Sequence, residues 1–505
     1  MNTDERDKKD GKQENHPPLS RSSVCICGPK TMKYDYDLAV IGAGTGGLVS
    51  AFVADSLGAR VALVEADKVG GECLWRGCVP SKTLVNSAKV FDLVKRSAEF
   101  GVHVEKPRLI WNAVRLRLAD VRDEIRNLER KELAKSKIEI INGRAKFSDA
   151  HHLEIEAPSG SRVISAKKFI VATGSDSKIL GIPGLEEAGF ITHVGLFERP
   201  SLPKSLIFIG GGPISVEMAQ AFCRFGTKVT VLQKGARLLP KEEPEISELI
   251  QKLLQNEGVT IHLNAQISRV EPGEMQKTVH FSVDGVENSA KAGEIVVAIG
   301  KTPRFASLNL EVAGVKADEK GIEIDIQGRT SAKNIWACGD VTGRNLFTHA
   351  AEYEAKIVAQ NAILPVKAKL DFRVMPWVTF TDPEIAHLGL TEAEAKEQHG
   401  IVRVWREPFS TLDRAIIEGE TAGFARIITT GSGVIVGAHI IGASAGELIA
   451  PFIAAVRDGA LLQEFAEAIF PYPTLSEIGH RAGNLIYQET LESKVVQTAL
   501  KLWPK

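Results

Sequence analysis

The chain has 505 residues, 44% of them apolar, which is enough for two to four domains that each bury a core; a single domain is not expected. Its 62 Lys and Arg nearly cancel 63 Asp and Glu, so it lacks the global field that draws a protein to nucleic acid, and no dense basic stripe appears locally. Six scattered cysteines are too few for a disulfide scaffold. They point to a reducing compartment, the cytoplasm by default, with small molecules as partners.

Residues 1–31 are polar, charged and rich in Pro and Ser, with no apolar run of signal-peptide length, and read as a disordered tail. Cys25 and Cys27 within it are isolated from any fold signal, and Met32 is the natural start of the fold. YDLAVIGAGTGGLVSAFVADSLGARVALVEA then reads as strand, glycine turn at Gly42, Gly44 and Gly47, helix, and a second strand ending in Glu65. Much later SLIFIGGGPISVEMAQAFCRFGTKVTVLQK repeats the design around Gly210 and Gly212. Gly42 to Glu65 and Gly210 to Gln233 both span 23 residues. Glycines in such a turn let backbone approach a pyrophosphate, whose charge sits at the positive end of the following helix. A lone GxGxxG is weak; two copies, each between strands, predict two nucleotide-binding βαβ units.

The copies differ at the end of the second strand. Glu65 can accept hydrogen bonds from both hydroxyls of an adenosine ribose, whereas Gln233 offers no anion, and Lys234 and Arg237 beside it suit a 2′-phosphate. NADPH is therefore favoured over NADH at the second unit, although both segments also read as solvated surface turns. Ser215 replaces the third glycine there, and Pro213 falls near the helix start, where its missing N–H costs little.

GGECLWRGCVPSKTL follows the first unit and separates Cys73 from Cys78 by four residues. In an unbroken helix their Cα atoms would lie about 8.7 Å apart, beyond the roughly 7 Å that a disulfide tolerates, so the backbone must bend between them. Gly77 supplies the freedom, and Pro80 suits the first turn of the next helix. Near that helix start, with Lys82 close, Cys78 is expected to have a lowered thiol pKa, as an exchange thiolate needs. Zinc binding would want a second cysteine pair nearby, and none is present, so no resident metal is expected. Cys223 and Cys338 read as packing residues.

A long helix is expected at 109–135, with Arg115, Arg117, Arg122 and Arg126 outward. KKFIVATGS, EIVVAIGKTPR and NIWACGDVTG follow as apolar strands ending in glycine turns. From Asp371 the chain alternates strand-like runs and then helices, an α+β block. The apolar stretch from Gly433 approaches membrane-span length, but His439, Glu447, several Gly and Pro451 make it a buried strand, a glycine turn and a core helix.

GGxCxxxGCxPSK, the two glycine turns, VATGS and CGD occur here in the order found in the class I pyridine nucleotide-disulfide oxidoreductases, which the chain resembles over residues 34 to 490. That group includes dihydrolipoamide dehydrogenase, glutathione reductase and mercuric reductase. The resemblance implies an α/β fold with two Rossmann-like dinucleotide-binding domains and a C-terminal α+β dimerisation domain. The implied boundaries are an FAD-binding domain at 32–183 and 304–370, an NAD(P)H-binding domain at 184–303, and dimerisation through 371–505. It places FAD on Gly42, Gly44, Gly47, Glu65, Gly71, Thr173, Gly174, Asp340, His349 and Ala350, and NAD(P)H on Gly210, Gly212, Gln233, Lys234, Arg237 and Gly300. Cys73 becomes the interchange thiol and Cys78 the flavin-facing thiol. Lys82 pairs with Glu217 beside the flavin.

One departure stands out. Dithiol-exchanging members carry a His, donated across the dimer and oriented by a Glu, just before a PTxSE segment; here FPYPTLSEIGH puts Tyr472 at that place and keeps Glu477. A phenol with a pKa near 10 is a poor base at neutral pH. His480 is a substitute only if it is more than a surface helix residue. FPY resembles mercuric reductase, whose substrate is a soft metal held by thiolates, yet the chain ends KLWPK without that group's terminal cysteine pair, and its tail lacks the separate metal-binding domain. The expected activity is electron transfer from NAD(P)H through FAD and a Cys73/Cys78 disulfide to a thiol, disulfide or soft-metal acceptor. Dihydrolipoyl dehydrogenase with an altered base and a flavoprotein redox sensor are the alternatives.

Overall fold

The computed structural model describes residues 33–158 and 160–502, so the tail and its two cysteines lie outside the described residues. Tyr36–Ile41 and Val61–Glu65 are near-continuous apolar runs, almost wholly buried, as parallel strands between helices require. They pair in parallel, Leu38 opposite Val61 and Ile41 opposite Val64, and helix Thr45–Ser56 makes the crossover. Tyr36–Ile41 also pairs in parallel with the end of the long strand Gly160–Val171. The start of that strand turns antiparallel to His152–Ala157, which in turn pairs with Arg144–Phe147. Ile335–Ala337 joins the same sheet beside Phe169–Val171, so a late segment returns to the first unit. Helix Thr348–Ile363 follows it, and its Ala355 and Ala359 share a buried cluster with Ala51 and Ala54 of Thr45–Ser56.

The second unit repeats the geometry. Ser205–Ile209, Lys228–Leu232, Thr260–His262 and Glu294–Val297 form a parallel four-stranded sheet with helix Pro213–Arg224 as crossover. Gly42 and Gly210 have φ of +99° and +110°, and a Cβ on either would fall 2.4 Å from a carbonyl oxygen, of Ala172 and Ala298 respectively. Only glycine fits such a turn. Gly47 is equally constrained, since a Cβ there would lie 1.7 Å from the Gly42 oxygen, whereas the matching Ser215 is fully buried in the second unit.

The C-terminal block is a five-stranded antiparallel sheet in the order Trp377–Thr379, Glu384–Gly389, Ile435–Gly442, Phe424–Thr430, Val402–Pro408. The apolar stretch from Gly433 is strand Ile435–Gly442, a turn, and helices Ala445–Leu448 and Ala450–Asp458, the last with Pro451 in its first turn. Among the described residues no helix is long and apolar enough to cross a membrane. The long helix runs Trp111–Lys135, but two of its arginines do not point outward: the Arg122 and Arg126 guanidinium groups lie 5.0 and 6.0 Å from the Trp75 ring centroid. Cation–π attraction to an indole overrides the outward preference of a polar face.

Candidate active site

The cysteine motif breaks where a disulfide-compatible pair needs it to. Helix Gly71–Trp75 ends at Arg76, and helix Cys78–Lys95 begins after Gly77 with Pro80 in its first turn. The short helix carries Cys73 and the start of the longer one carries Cys78, and both are thiols. Cys78 Sγ lies 3.2 Å from Thr348 Oγ1, 270 residues away in sequence. Hydrogen bonding from Cys73, then from Thr348, and then the positive charges of Lys82 and Lys301 outweigh burial and bring the Cys78 thiol down to about 6. Cys73 is pushed up, by its hydrogen bond to Cys78 and by burial. The expected lowering at Cys78 is present, with its partner thiol as the largest cause and Lys82 a smaller one.

Both cysteines line a cavity of about 480 Å³ that extends along the carboxyl ends of the first sheet. Gly42, Gly44, Glu65, Gly71, Thr173, Gly174 and Asp340 line it too. Its lining joins the first glycine turn, the end of the Glu65 strand and the two cysteine helices. Helix Thr45–Ser56 begins at Gly44 with no side-chain cap and no acid in its first turn, so its free amides meet the cavity without an anion of the chain's own. Glu65 marks the far end; its carboxylate accepts from Ala43 N at 2.6 Å and Asp67 N at 2.7 Å and keeps lone pairs for a ribose. Asp340 accepts from Ser175 Oγ at 2.6 Å, and Thr173 donates to the Arg304 carbonyl.

Three expected FAD contacts stand behind this lining. Gly47 packs helix against turn, Ala350 is fully buried, and His349 Nε2 meets the Pro376 carbonyl at 2.7 Å. Phe347 and Thr348, two and one positions earlier than His349, line the cavity, as does Ala351 in the first turn of the helix that starts at Thr348. Sequence reading also missed Glu72, His193 and Lys301. Glu72 Oε1 is 2.7 Å from Lys301 Nζ and 2.9 Å from His193 Nε2, and Lys301 lies 3.7 Å from Asp340. Burial pushes the Glu72 carboxyl up, but the His193 hydrogen bond and the Lys301 charge prevail and hold it at about 2. Lys301 directly follows Gly300 in IGKTPR, the one local signal that could have found it.

Lys82 Nζ is 2.9 Å from Glu217 Oε2, and Glu217 also accepts from Phe380 N at 2.9 Å. In the second unit Gln233 mirrors Glu65: its Oε1 accepts from Gly211 N at 3.0 Å and its Nε2 donates to the Arg237 carbonyl at 3.1 Å. Lys234 is exposed, and Arg237 donates to the Pro240 carbonyl at 3.2 Å. Helix Pro213–Arg224, like its counterpart, starts at a glycine, Gly212, with neither side-chain cap nor first-turn acid. Gly300, with φ +125°, has open space on its Cβ side. Tyr472 is 69% exposed and donates to Asp413 at 2.7 Å; Glu477 starts helix Glu477–Glu492; His480 Nδ1 is 3.1 Å from the Phe465 carbonyl. None of these three lines the cavity.

Two βαβ units, a dithiol against a cavity lined by the first glycine turn and an antiparallel C-terminal sheet define a flavoprotein disulfide reductase fold. The chain belongs to the pyridine nucleotide-disulphide oxidoreductase family, whose model matches residues 36–355, and the dimerisation domain of that family matches residues 375–482. It is similar to a mercuric reductase of Bacillus cereus, 36% identical over 447 residues, which cover 88% of this chain and 70% of that protein. A dihydrolipoyl dehydrogenase of Bacillus subtilis is 34% identical over 453 residues, 89% of this chain and 96% of its own. Among solved structures, the Cu(II) complex of the HOCl-induced flavoprotein disulfide reductase RclA from Escherichia coli superposes with a TM-score of 0.81 at 30% identity, covering 89% of this chain and 99% of that one. The protein is an FAD-dependent pyridine nucleotide disulfide oxidoreductase, with FAD and NAD(P)H as cofactors.

Proposed function

We propose that this enzyme reduces a soft, thiolate-bound metal ion of the Hg(II) class at the Cys73/Cys78 pair, with NADPH as reductant. NADPH supplies two electrons as a hydride, and bound FAD relays them to the sulfur pair. FAD would lie on the Gly44 amides, with Glu65 at its ribose and Asp340 near its middle. NADPH would lie on Gly210 and Gly212, where Gln233, already engaged by the turn's own backbone, leaves the ribose side to Lys234.

The observation that carries the reading is an asymmetric thiol pair together with, among the described residues, a phenol rather than an imidazole at the position where dithiol exchange places its base. Cys78 is held as a thiolate by Cys73 and Thr348, while Cys73 keeps its proton. Dithiol exchange needs a base to take that proton, and Tyr472 is unsuited: its hydrogen bond to Asp413 raises the phenol above its ordinary value. A soft metal ion needs none, because binding itself displaces the thiol proton into solvent. The Lys82–Glu217 pair and the Glu72–Lys301 pair set the charge on either side of Cys78. A second copy would cover the exposed Ile469 and Tyr472 and complete a homodimer, in keeping with the match to the dimerisation domain.

The relative named dihydrolipoyl dehydrogenase supports a second reading, dithiol exchange with an altered base that a second copy of this same chain supplies. Steady-state NADPH oxidation with Hg(II) in excess small thiol, with lipoamide, and with glutathione disulfide separates the two. Acceleration by Hg(II) alone is expected. Acceleration by lipoamide alone would overturn the metal reading, and no acceleration by any acceptor would favour a sensor of thiol or metal status.

A further inference from the structure

Away from the cavity, three buried side chains converge: Glu242, His387 and His439 are 3%, 1% and 0% exposed. His387 and His439 are register partners on neighbouring antiparallel strands, and Glu242 reaches them from the turn ahead of helix Pro244–Asn256. Each imidazole turns its Nε2 to a backbone carbonyl, His387 to Gly389 at 3.1 Å and His439 to Leu390 at 2.9 Å. A carbonyl only accepts, so the ring proton of each neutral histidine sits on Nε2. Both Nδ1 atoms are then left as lone-pair donors, and they face each other at 3.2 Å, with His387 Nδ1 3.1 Å from Glu242 Oε2. Three electron-pair donors thus meet in a dry interior with no proton of their own to share, a costly arrangement unless a cation sits among them.

We propose that Glu242, His387 and His439 form a structural site for a divalent transition metal of the zinc class. The three donor atoms lie within 4.8 Å of one another. Their 3.1 and 3.2 Å separations approach the edge of about 3.3 Å that bonds of about 2.0 to 2.1 Å make around a tetrahedral zinc ion. An outer layer orients every donor, as metal sites require: the two carbonyls hold the imidazoles, and Trp377 Nε1 donates to Glu242 Oε1 at 2.6 Å. The Trp377 indole stacks on His387 with ring centroids 3.5 Å apart and closes one side. Such an ion would clasp the turn after the second nucleotide-binding strand to the C-terminal sheet, joining segments that meet only in the tertiary structure.

The test uses the full chain with its FAD, expressed in zinc-supplemented medium so that the site loads during folding, then treated with chelator while folded. Elemental mass spectrometry should find about one zinc per chain in the native protein and in a Cys73→Ser/Cys78→Ser variant, and a loss of that equivalent in His439→Gln. Should His439→Gln fail to fold, zinc X-ray absorption on the Cys73→Ser/Cys78→Ser variant decides: a nitrogen and oxygen first shell with imidazole scattering supports the site. The absence of zinc from the native protein, which would mean that only a proton bridges the three groups, overturns the proposal. So does sulfur ligation, or zinc retained undiminished in folded His439→Gln.

Discussion

Thr348→Val tests the link between a distant hydroxyl and the thiolate. The substitution keeps the volume and removes the 3.2 Å hydrogen bond to Cys78 Sγ. A hydrogen bond to a charged group contributes about 1.5 to 3 kcal/mol, and a pKa unit is about 1.4 kcal/mol, so the loss corresponds to about one to two units. The Cys73 hydrogen bond, the largest influence on Cys78, remains, which favours about one unit. Cys78, at about 6 in the native protein, is then about nine-tenths thiolate at pH 7 and falls to about half in the variant. The assay is the pH dependence of iodoacetamide alkylation of Cys78 in NADPH-reduced, FAD-loaded protein, followed by peptide mass spectrometry. Its midpoint should move from about 6 to about 7 in Thr348→Val and stay near 6 in Thr348→Ser, which keeps the donor. An unmoved midpoint in the valine variant, or an equal shift in the serine variant, would refute the reasoning.

Glu72→Gln leaves the partly buried Lys301 ammonium with only Asp340, 3.7 Å away, so the cost stays below the about 3 kcal/mol of a fully buried broken pair; a lower urea midpoint and weaker FAD retention are expected, and an unchanged midpoint counts against the pairing. Gln233→Glu should keep the hydrogen bond to Gly211 N yet place an anion at the ribose, moving the ratio of kcat/KM for NADPH over NADH toward NADH by about tenfold; no change would sink the assignment of this turn to the cofactor's ribose. Burial, ahead of any other influence, raises the carboxyl of Glu354 to about 7. The folded state therefore binds this proton more tightly than the unfolded state does. Its contribution is fully present below the unfolded value near 4.5 and is lost as pH rises through about 7, up to about 3 kcal/mol. Glu354→Gln should accordingly gain thermal stability relative to the native protein between pH 5 and pH 8, and a Tm difference independent of pH would contradict it.

Local chemistry made much of this protein legible before any coordinate. Glycine spacing in Gly42, Gly44 and Gly210, the apolar strands around them and the bend between Cys73 and Cys78 are dictated by residues within a few positions of one another. Backbone sterics and hydrophobic period act at that range, so the sequence reads them directly. The start of helix Thr348–Ile363 is legible in the sequence, but which of its first residues faces the cavity depends on how the helix docks against Ala51 and Ala54.

What only the tertiary structure decided is the charge and hydrogen bonding around those motifs. Thr348 reaches Cys78 across 270 residues, Lys301 reaches Glu72 across 229, and His439 meets His387 across 52. No periodicity connects such positions; the return of Ile335–Ala337 to the first sheet and the antiparallel register of the last one bring them together. The sequence alone determined the nucleotide turns and the paired sulfurs. Cys78 as the lowered thiol was legible there too; packing determined which groups hold it down, Cys73 and Thr348 ahead of Lys82, because electrostatic environment is a property of neighbours in space.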